Sequence, residues 1–311
     1  MKPSARRIVV VGSSNTDLII KLNRLPRPGE TLLGGAFLTA AGGKGANQAV
    51  GAARAGGKVT FIARIGPDSF GAQAVAGWVK DGINVDHVAR DDTRPSGVAF
   101  IFVARRGENM IAVASGANGR LSPGQVKAAG PLFRGARVLL LQLETPLATV
   151  SAAAELAAAA GARVILNPAP ARPLPDRLLR RVAILTPNET EAELLTGIKV
   201  DSDVAAGRAA DRLRARGVQT VIITLGAHGA FVGGGGCRQR VPGFRVKALD
   251  TTAAGDIFNG ALAVALAEDQ PLLGAVRFAN AAAALSVTRL GAQPSAPTRA
   301  EIERFLRRKT N

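Results

Sequence analysis

The sequence predicts an α/β protein: a mainly parallel sheet with helices on both faces, in three Rossmann-like α/β/α layers, and a small β-sheet lid beside it. Three features of the 311 residues carry that expectation. Short β-branched runs alternate with longer alanine-rich stretches. Two of the runs, Val138-Leu139-Leu140-Leu141 and Val221-Ile222-Ile223, are almost unbroken apolar. Two segments, 17–39 and 97–114, hold strand-like runs with no helix between them. Strands joined through helices pair in parallel and wind right-handed. Continuous apolar runs mark strands covered on both faces.

Arg6 to Gly12 reads as the first strand, because Ile8 to Val11 is apolar throughout, and Ala46 to Ala55 as the helix after it. Lys58 to Ile65 is the next strand, followed by a helix over Ser69 to Asp81. Further on come strand Arg137 to Leu143, helix Pro146 to Ala160, and strands Arg163 to Asn167, Val182 to Thr186 and Thr220 to Leu225. Gly233 to Gly236 is a hairpin-sized glycine run. Helices over Ala254 to Ala267 and Pro271 to Thr288 precede a terminal amphipathic helix from Thr298. The two exceptional segments contain Leu18-Ile19-Ile20, Gly97 to Val103 and Met110 to Val113, which read as antiparallel strands apart from the main sheet. A small sheet beside a ligand edge would act as a lid, which phosphoryl transfer needs to exclude water. No linker-like or low-complexity stretch divides the chain, so one domain over 1–311 is expected.

Composition narrows the function. With 47% hydrophobic residues the chain can bury a large core, yet no run approaches the roughly 18 apolar residues of a membrane span. The basic N-terminus, Met1 to Arg7, leads into too short an apolar run for a signal peptide. One cysteine, Cys237, excludes an intramolecular disulfide framework and fits the cytoplasm. The net charge of +17 raises nucleic acid as a partner, but the arginines are scattered, tyrosine is absent and there is one tryptophan. Stacking platforms are therefore missing, and no nucleic-acid role is expected. With only His87 and His228 beside the single cysteine, zinc and Cys/His nucleophile chemistry are excluded. A Walker A loop is also absent: Gly42-Gly43-Lys44-Gly45 lacks the hydroxyl that should follow the lysine.

Another kind of phosphate site is legible in Asp250-Thr251-Thr252-Ala253-Ala254-Gly255-Asp256. Small residues let backbone approach a ligand, and the helix that follows offers its free N–H groups to an anion. Asp256, in the first turn, either complements the helix dipole (about 0.3–1 kcal/mol) or takes a proton from an attacking hydroxyl. A helix start should hold its pKa low, and both readings stand. Thr186-Pro187-Asn188-Glu189-Thr190-Glu191 reads first as a capping box, with Asn188 as N-cap and Glu191 three residues on. Thr224-Leu225-Gly226-Ala227-His228-Gly229 ends a strand in a glycine-bounded turn, either a nucleotide contact at the carboxyl edge or an ordinary connection. Asn15, Asp17 and Glu144 follow strands, and Gly43, Lys44 and Asn47 open a helix. Amides and carboxylates gathered at one sheet edge suit a polyhydroxyl ligand, whose hydroxyls both donate and accept.

Taken together, Gly42 to Ala49, Asp250 to Gly260, Leu166-Asn167-Pro168-Ala169-Pro170-Ala171 and Thr288 to Ser295 resemble the PfkB carbohydrate-kinase family, and its ribose-phosphorylating members in particular. The resemblance runs from Ile8 to Leu306. It implies an ATP-dependent kinase acting on the 5-hydroxyl of D-ribose, with Asp256 as base and the amides of Ala253, Ala254 and Gly255 as anion hole. Asn15, Asp17, Gly43, Lys44, Asn47 and Glu144 would bind the sugar, with Asp17 on its 2- and 3-hydroxyls. Asn188, Thr224, Gly226, Gly229, Gly255 and Asn280 would line the ATP site. Asn188 and Glu191 would help hold Mg²⁺, and Asp250, Thr252, Ser286, Arg289, Gly291 and Ser295 a K⁺ ion. A homodimer through the lid is also implied. Ala253 stands where many members have glycine, and Thr252 where an apolar residue is common. Other members act on deoxyribose, ketoses or nucleosides, and a sugar-binding protein without catalysis is the rival of another class.

Overall fold

The computed structural model describes residues 7–105 and 108–309. Met1 to Arg6, Arg106 and Gly107 in the second lid segment, and the last two residues lie outside the described residues. Thirteen strands are formed by the described residues: β1 (Arg7–Val11), β2 (Asn15–Leu22), β3 (Ala36–Gly42), β4 (Lys58–Ile65), β5 (Asn84–Arg90), β6 (Gly97–Ala104), β7 (Asn109–Ala114), β8 (Val138–Leu141), β9 (Arg163–Leu166), β10 (Ile184–Leu185), β11 (Thr220–Thr224), β12 (Gly229–Gly234) and β13 (Cys237–Pro242). The helices are α1 (Lys44–Arg54), α2 (Ser69–Lys80), α3 (Pro123–Ala128), α4 (Gly130–Phe133), α5 (Leu147–Ala159), α6 (Asp176–Leu179), α7 (Glu189–Thr196), α8 (Asp203–Ala215), α9 (Ala254–Ala267), α10 (Leu272–Ser286) and α11 (Arg299–Arg308).

Nine strands form the main sheet in the order β13-β12-β11-β10-β9-β8-β1-β4-β5. All neighbours from β11 to β5 are parallel, and the β12–β13 hairpin adds an antiparallel edge. The unbroken apolar strands follow from this placement. Alternate residues of β1 serve opposite faces: Ile8 and Val10 pack with residues of α1, α9 and α10, while Val9 and Val11 pack with α5 and α8. All four are buried. Fully burying such a side chain contributes roughly 1.5–3 kcal/mol. Trp78 of α2 meets Phe61 of β4 edge-on, centroids 5.0 Å apart.

The smaller sheet has the order β3-β2-β6-β7. It is wider than the sequence segments, starting at Asn15 and continuing to Gly42. It is also not purely antiparallel: β2 runs parallel to β6. The chain leaves β3, makes α1, β4, α2 and β5 in the main layers, and re-enters beside β2 from the same end. Helix α1 starts two residues before Ala46, because Gly43, at φ 86°, makes the turn that a side chain would resist. Strand β10 is only two residues long, since Pro187 cannot donate to a ladder; pairing resumes as one bridge between Asn188 and Thr224. Strand β5 and helix α8 are absent from the sequence expectation. The first is a half-exposed edge strand, Asn-Val-Asp-His-Val-Ala-Arg, without a continuous apolar run.

Candidate active site

The polar residues singled out in the sequence gather at the carboxyl edge of the main sheet. There the chain diverges from β1, toward β4 on one side and β8 on the other. Open parallel sheets bind ligands at such a divergence. The turn after β1 lies against the glycine turn before α1. A Cβ on Gly43 would come 2.6 Å from the Asn15 nitrogen, and one on Gly45 2.5 Å from the Ser13 nitrogen. Only glycine allows backbones that close. No side chain of the turn itself caps α1; Glu144, beyond β8, does so from a distance. Its Oε2 accepts from the Lys44 backbone nitrogen (2.9 Å) and from Ser13 Oγ (2.5 Å). Asn15 is buried, and its Oδ1 accepts from Asn118 Nδ2 at 2.8 Å, which fixes the direction of its amide. Asp17 of β2 stands against Gly42. Burial first, then the charges of Glu144 and Asp256, push its carboxyl up to about 6.

Helix α9 supplies the centre of the site. Ala253, its N-cap, is left-handed at φ 59°, a conformation that costs a side-chain-bearing residue about 1–2 kcal/mol. The cap has no side-chain hydrogen bond; the Ala254 nitrogen donates to the Thr251 carbonyl (3.2 Å), while the Ala253 and Gly255 nitrogens make no hydrogen bond among the described residues and stay available to a ligand. A Cβ on Gly255 would meet nothing within 4 Å; room there is left open toward the cavity. Asp256, one residue on, is 5% exposed. Its Oδ2 accepts from Asn47 Nδ2 (3.0 Å) and its Oδ1 from Gln48 Nε2 (3.1 Å). The expectation of a low pKa at this helix start is corrected: burial raises the Asp256 carboxyl above its ordinary value, although Lys44, Asn47 and Gln48 all oppose the rise. Losing its water costs the charged form more than Lys44 and the two amide donors return.

Behind Asp256 runs a buried chain of amides. Gln48 Oε1 accepts from Gln142 Nε2 (2.6 Å), and Gln48 Nε2 also donates to Asn167 Oδ1 (3.2 Å). Asn167 Nδ2 donates to the Thr186 carbonyl, Thr186 Oγ1 to Asn259 Oδ1, and Asn259 Nδ2 to the Gly255 carbonyl. The chain thereby ties the ends of β8, β9 and β10 to both the base and the backbone of the anion-hole turn. None of these supporting roles for Gln48, Gln142, Asn118, Asn167, Thr186 or Asn259 is legible in the sequence. Gln48, Asn167, Thr186 and Asn259 lie inside segments singled out in the sequence, which was the available signal.

A cavity of about 180 Å³ opens in front of this turn, lined among others by Lys44, Asn188, Glu191, Thr224, Gly255 and Asp256. Burial alone would lower the Lys44 ammonium, yet Asp256, Glu144 and Glu191 around it hold it above its ordinary value. It is thus a firmly protonated cation beside the anion hole. Asn188 and Glu191 form the capping box foreseen in the sequence, each side chain bonded to the other's backbone. Burial raises the Glu191 carboxyl. Gly226 sits on an exposed turn at the rim. Gly229 is packed beneath it, where a Cβ would meet the Pro242 carbonyl carbon at 2.6 Å. Asn280 does not line the cavity; its Nδ2 donates to the Val241 and Pro242 carbonyls, both at 3.2 Å.

Two of the segments expected to hold a monovalent cation, around Asp250 and around Gly291, are joined by hydrogen bonds. Asp250 Oδ2 accepts from the Gly291 nitrogen (2.8 Å), and the Leu249 and Asp250 nitrogens both donate to the Val287 carbonyl. Ser286 and Ser295 are buried, and the Arg289 side chain turns away to Glu301. Two oxygen-rich turns pressed together, one of them continuous with Ala253, fit a cation held mainly by carbonyls. Among the described residues no group of three or more His, Cys, Asp or Glu side chains is arranged to hold a metal. Asn188 and Glu191, the pair expected beside Mg²⁺, both line the cavity.

Residues 5–299 match the family described as pfkB family carbohydrate kinase. The chain is 48% identical to a ribokinase from Haemophilus influenzae, over 97% of this chain and 98% of that protein. It is 39% identical to a deoxyribokinase from Salmonella typhimurium, over 96% and 98%. Its structure is similar to that of Arabidopsis thaliana ribokinase complexed with ribose and ATP, with a TM-score of 0.89 and 34% identity over 97% of this chain and 99% of that one. The ribokinase-like architecture is therefore shared with these neighbours, smaller sheet included.

Proposed function

Since the chain belongs to the pfkB family of carbohydrate kinases, we propose that it transfers the γ-phosphoryl group of ATP to the 5-hydroxyl of D-ribose, giving D-ribose 5-phosphate. The observation that carries this reading is the burial of Asp256 between two amide donors, at the mouth of a cavity shared with Lys44 and the start of α9. Asp256 accepts the proton of the 5-hydroxyl as its oxygen bonds to phosphorus. Its raised pKa makes it a better proton acceptor than an exposed carboxylate. The amides of Ala253, Ala254 and Gly255 and the Lys44 ammonium balance charge on the transferring group. Asn15, Asp17, Gly43, Asn47 and Glu144 hold the sugar, Asp17 taking the 2- and 3-hydroxyls. Thr224, Gly226, Gly229 and Asn280 belong to the nucleotide end.

Asn188 and Glu191 would hold Mg²⁺, which shields the phosphates when bound. The turns at Asp250–Thr252 and Ser286–Ser295 would hold K⁺, fixing the backbone of the anion hole. The smaller sheet, with the flanking 17–39 and 97–114 segments, is the lid of a one-domain enzyme. Phe37, Phe100 and Met110 are 64, 45 and 52% exposed on its face away from Asp17. That unpartnered apolar face supports a homodimer through the lid. A lone cysteine supports a cytoplasmic home.

The decisive experiment measures ADP release with D-ribose, 2-deoxyribose, fructose and adenosine, with and without K⁺, for the natural chain and for Asp256→Asn. Ribose should give the highest kcat/KM, and the substitution should cost at least about 10²-fold in kcat. Equal turnover of fructose would retire ribose as the substrate, and an active Asp256→Asn enzyme would retire the base.

A further inference from the structure

A larger cavity lies at the other end of the main sheet. It measures about 560 Å³, roughly three times the space in front of Asp256 and within the range of small-molecule sites. It opens at the amino edge, where β8, β9, β10 and β11 begin. Arg137, Arg163, Arg180 and Arg181 line it, and Asp269 is the one acid among its lining residues, so its walls carry a formal charge of +3 (four minus one). Parallel register brings these charges together: the Arg163 nitrogen donates to the Arg137 carbonyl at 3.0 Å, placing the two side chains on neighbouring strands. Like charges so close destabilise a sheet unless something neutralises them.

Arginine at this edge has a plain structural use, because helix C-termini end there and present free carbonyls. Nearby arginines are instead held by loop carbonyls and an acid. Arg214 donates to the Gln219 carbonyl, and Arg216 to the Leu174 carbonyl and Asp176. The cavity arginines are not all so occupied. Arg137 pairs with Asp269, and Arg163 reaches only the Leu266 carbonyl, at 3.3 Å. The guanidinium groups of Arg180 and Arg181 have no hydrogen bond or ion pair among the described residues. Gly217 makes room for the stem of Arg180, since a Cβ there would lie 2.5 Å from its Cγ. Ala136, Ala158, Ala162 and Ala183 keep the floor low and apolar.

We propose that this cavity is a second binding site, for a small phosphorylated anion, engaged by the guanidinium groups of Arg163, Arg180 and Arg181. Three forks each present coplanar N–H donors, a geometry that matches phosphate oxygens better than it matches a single carboxylate. Backbone at the end of α5, at Ala158 and Gly161, lines the same cavity, and its carbonyls would accept from hydroxyls on the same ligand. Phosphate esters and inorganic phosphate chains share this chemistry, and the experiment separates them.

The test is calorimetric titration of the full chain at about 0.1 M salt with two probes, tripolyphosphate and D-ribose 5-phosphate. Each is repeated on Asp256→Asn and on the double variant Arg180→Ala/Arg181→Ala, whose substitutions lie at the edge opposite the catalytic residues. A saturable event should survive Asp256→Asn and weaken at least tenfold in the double variant, while that variant keeps the kinase rate of the natural chain. Preference for the ester identifies the hydroxyl-accepting carbonyls as part of the site; preference for the inorganic chain confines it to the arginines. Binding unaffected by the double variant, or matched by sulfate or duplex DNA at equal charge, overturns the proposal and leaves a merely cationic rim. The kinase reading stands or falls separately, since Asp256→Asn turnover does not enter this measurement.

Discussion

The two edges of the main sheet are built from opposite materials. At the carboxyl edge, Asn15, Asn47, Gln48, Asn167 and Asp256 are buried and bonded to one another or to backbone. At the amino edge, arginines stand partly in solvent, several engaging backbone carbonyls. The difference teaches where this chain has traded stability for chemistry. A buried carboxylate, a left-handed alanine and close glycine contacts all lie at the carboxyl edge, and each is unfavourable until a ligand arrives. The amino edge has a left-handed residue of its own, Asp269 at φ 59°, but of a type that tolerates the conformation better than alanine.

That contrast breaks most readily at Gln48. Gln48→Leu removes a donor to Asp256 and leaves Gln142 and Asn167 without their partner. A hydrogen bond to a charged group is worth about 1.5–3 kcal/mol, so kcat should fall about 10–100-fold while KM for ribose changes less than about threefold. An unchanged kcat would mean that Asn47 and the helix alone hold the base. Steady-state kinetics on the folded variant decides it, with thermal melting to exclude general damage.

Asp17 sharpens the comparison in the opposite direction. Its folded pKa of about 6 lies above the ordinary 3.8, so the native state binds the proton more tightly than the unfolded chain. Stability is therefore lost as pH rises from about 4 to about 6, by roughly 2–3 kcal/mol at one unit per 1.36 kcal/mol. Asp17→Asn should recover most of that above pH 6 and little below pH 4, while ribose turnover collapses. Denaturant melts at pH 4 and pH 7 measure the difference, and equal gains at both would contradict the burial argument. The smallest effect is expected for Ala253→Gly. Relief of the φ 59° strain should stabilise by about 1 kcal/mol or less, offset in part by glycine's greater unfolded freedom, and leave kcat within about threefold.

Much of this molecule was legible before any coordinates. The apolar runs of β1, β8 and β11 announced a sheet covered on both faces, and α9 begins and ends where its alanine-rich stretch does. Asp17 was singled out by its place after the first strand and Asn188 and Asp256 by their motifs, and the capping box at Asn188 formed as read. Strand β5 escaped because an edge strand needs no continuous apolar run. The parallel β2–β6 pairing escaped because it depends on where 54 intervening residues, 43–96, return the chain.

What the sequence determined by itself was local: periodicity, caps, glycine turns and the residue types a kinase of this family requires. What the tertiary structure decided was which distant polar groups share one low-dielectric volume. Gln48, Gln142, Asn167 and Asn259 are ordinary amides until folding removes their water and leaves them only each other. The pKa of Asp256 follows the same rule, since burial is a property of everything packed around a carboxylate and not of its position in a helix. Four arginines at the opposite edge meet for a related reason: parallel strands start in register, and their neighbours along the sheet are remote along the chain.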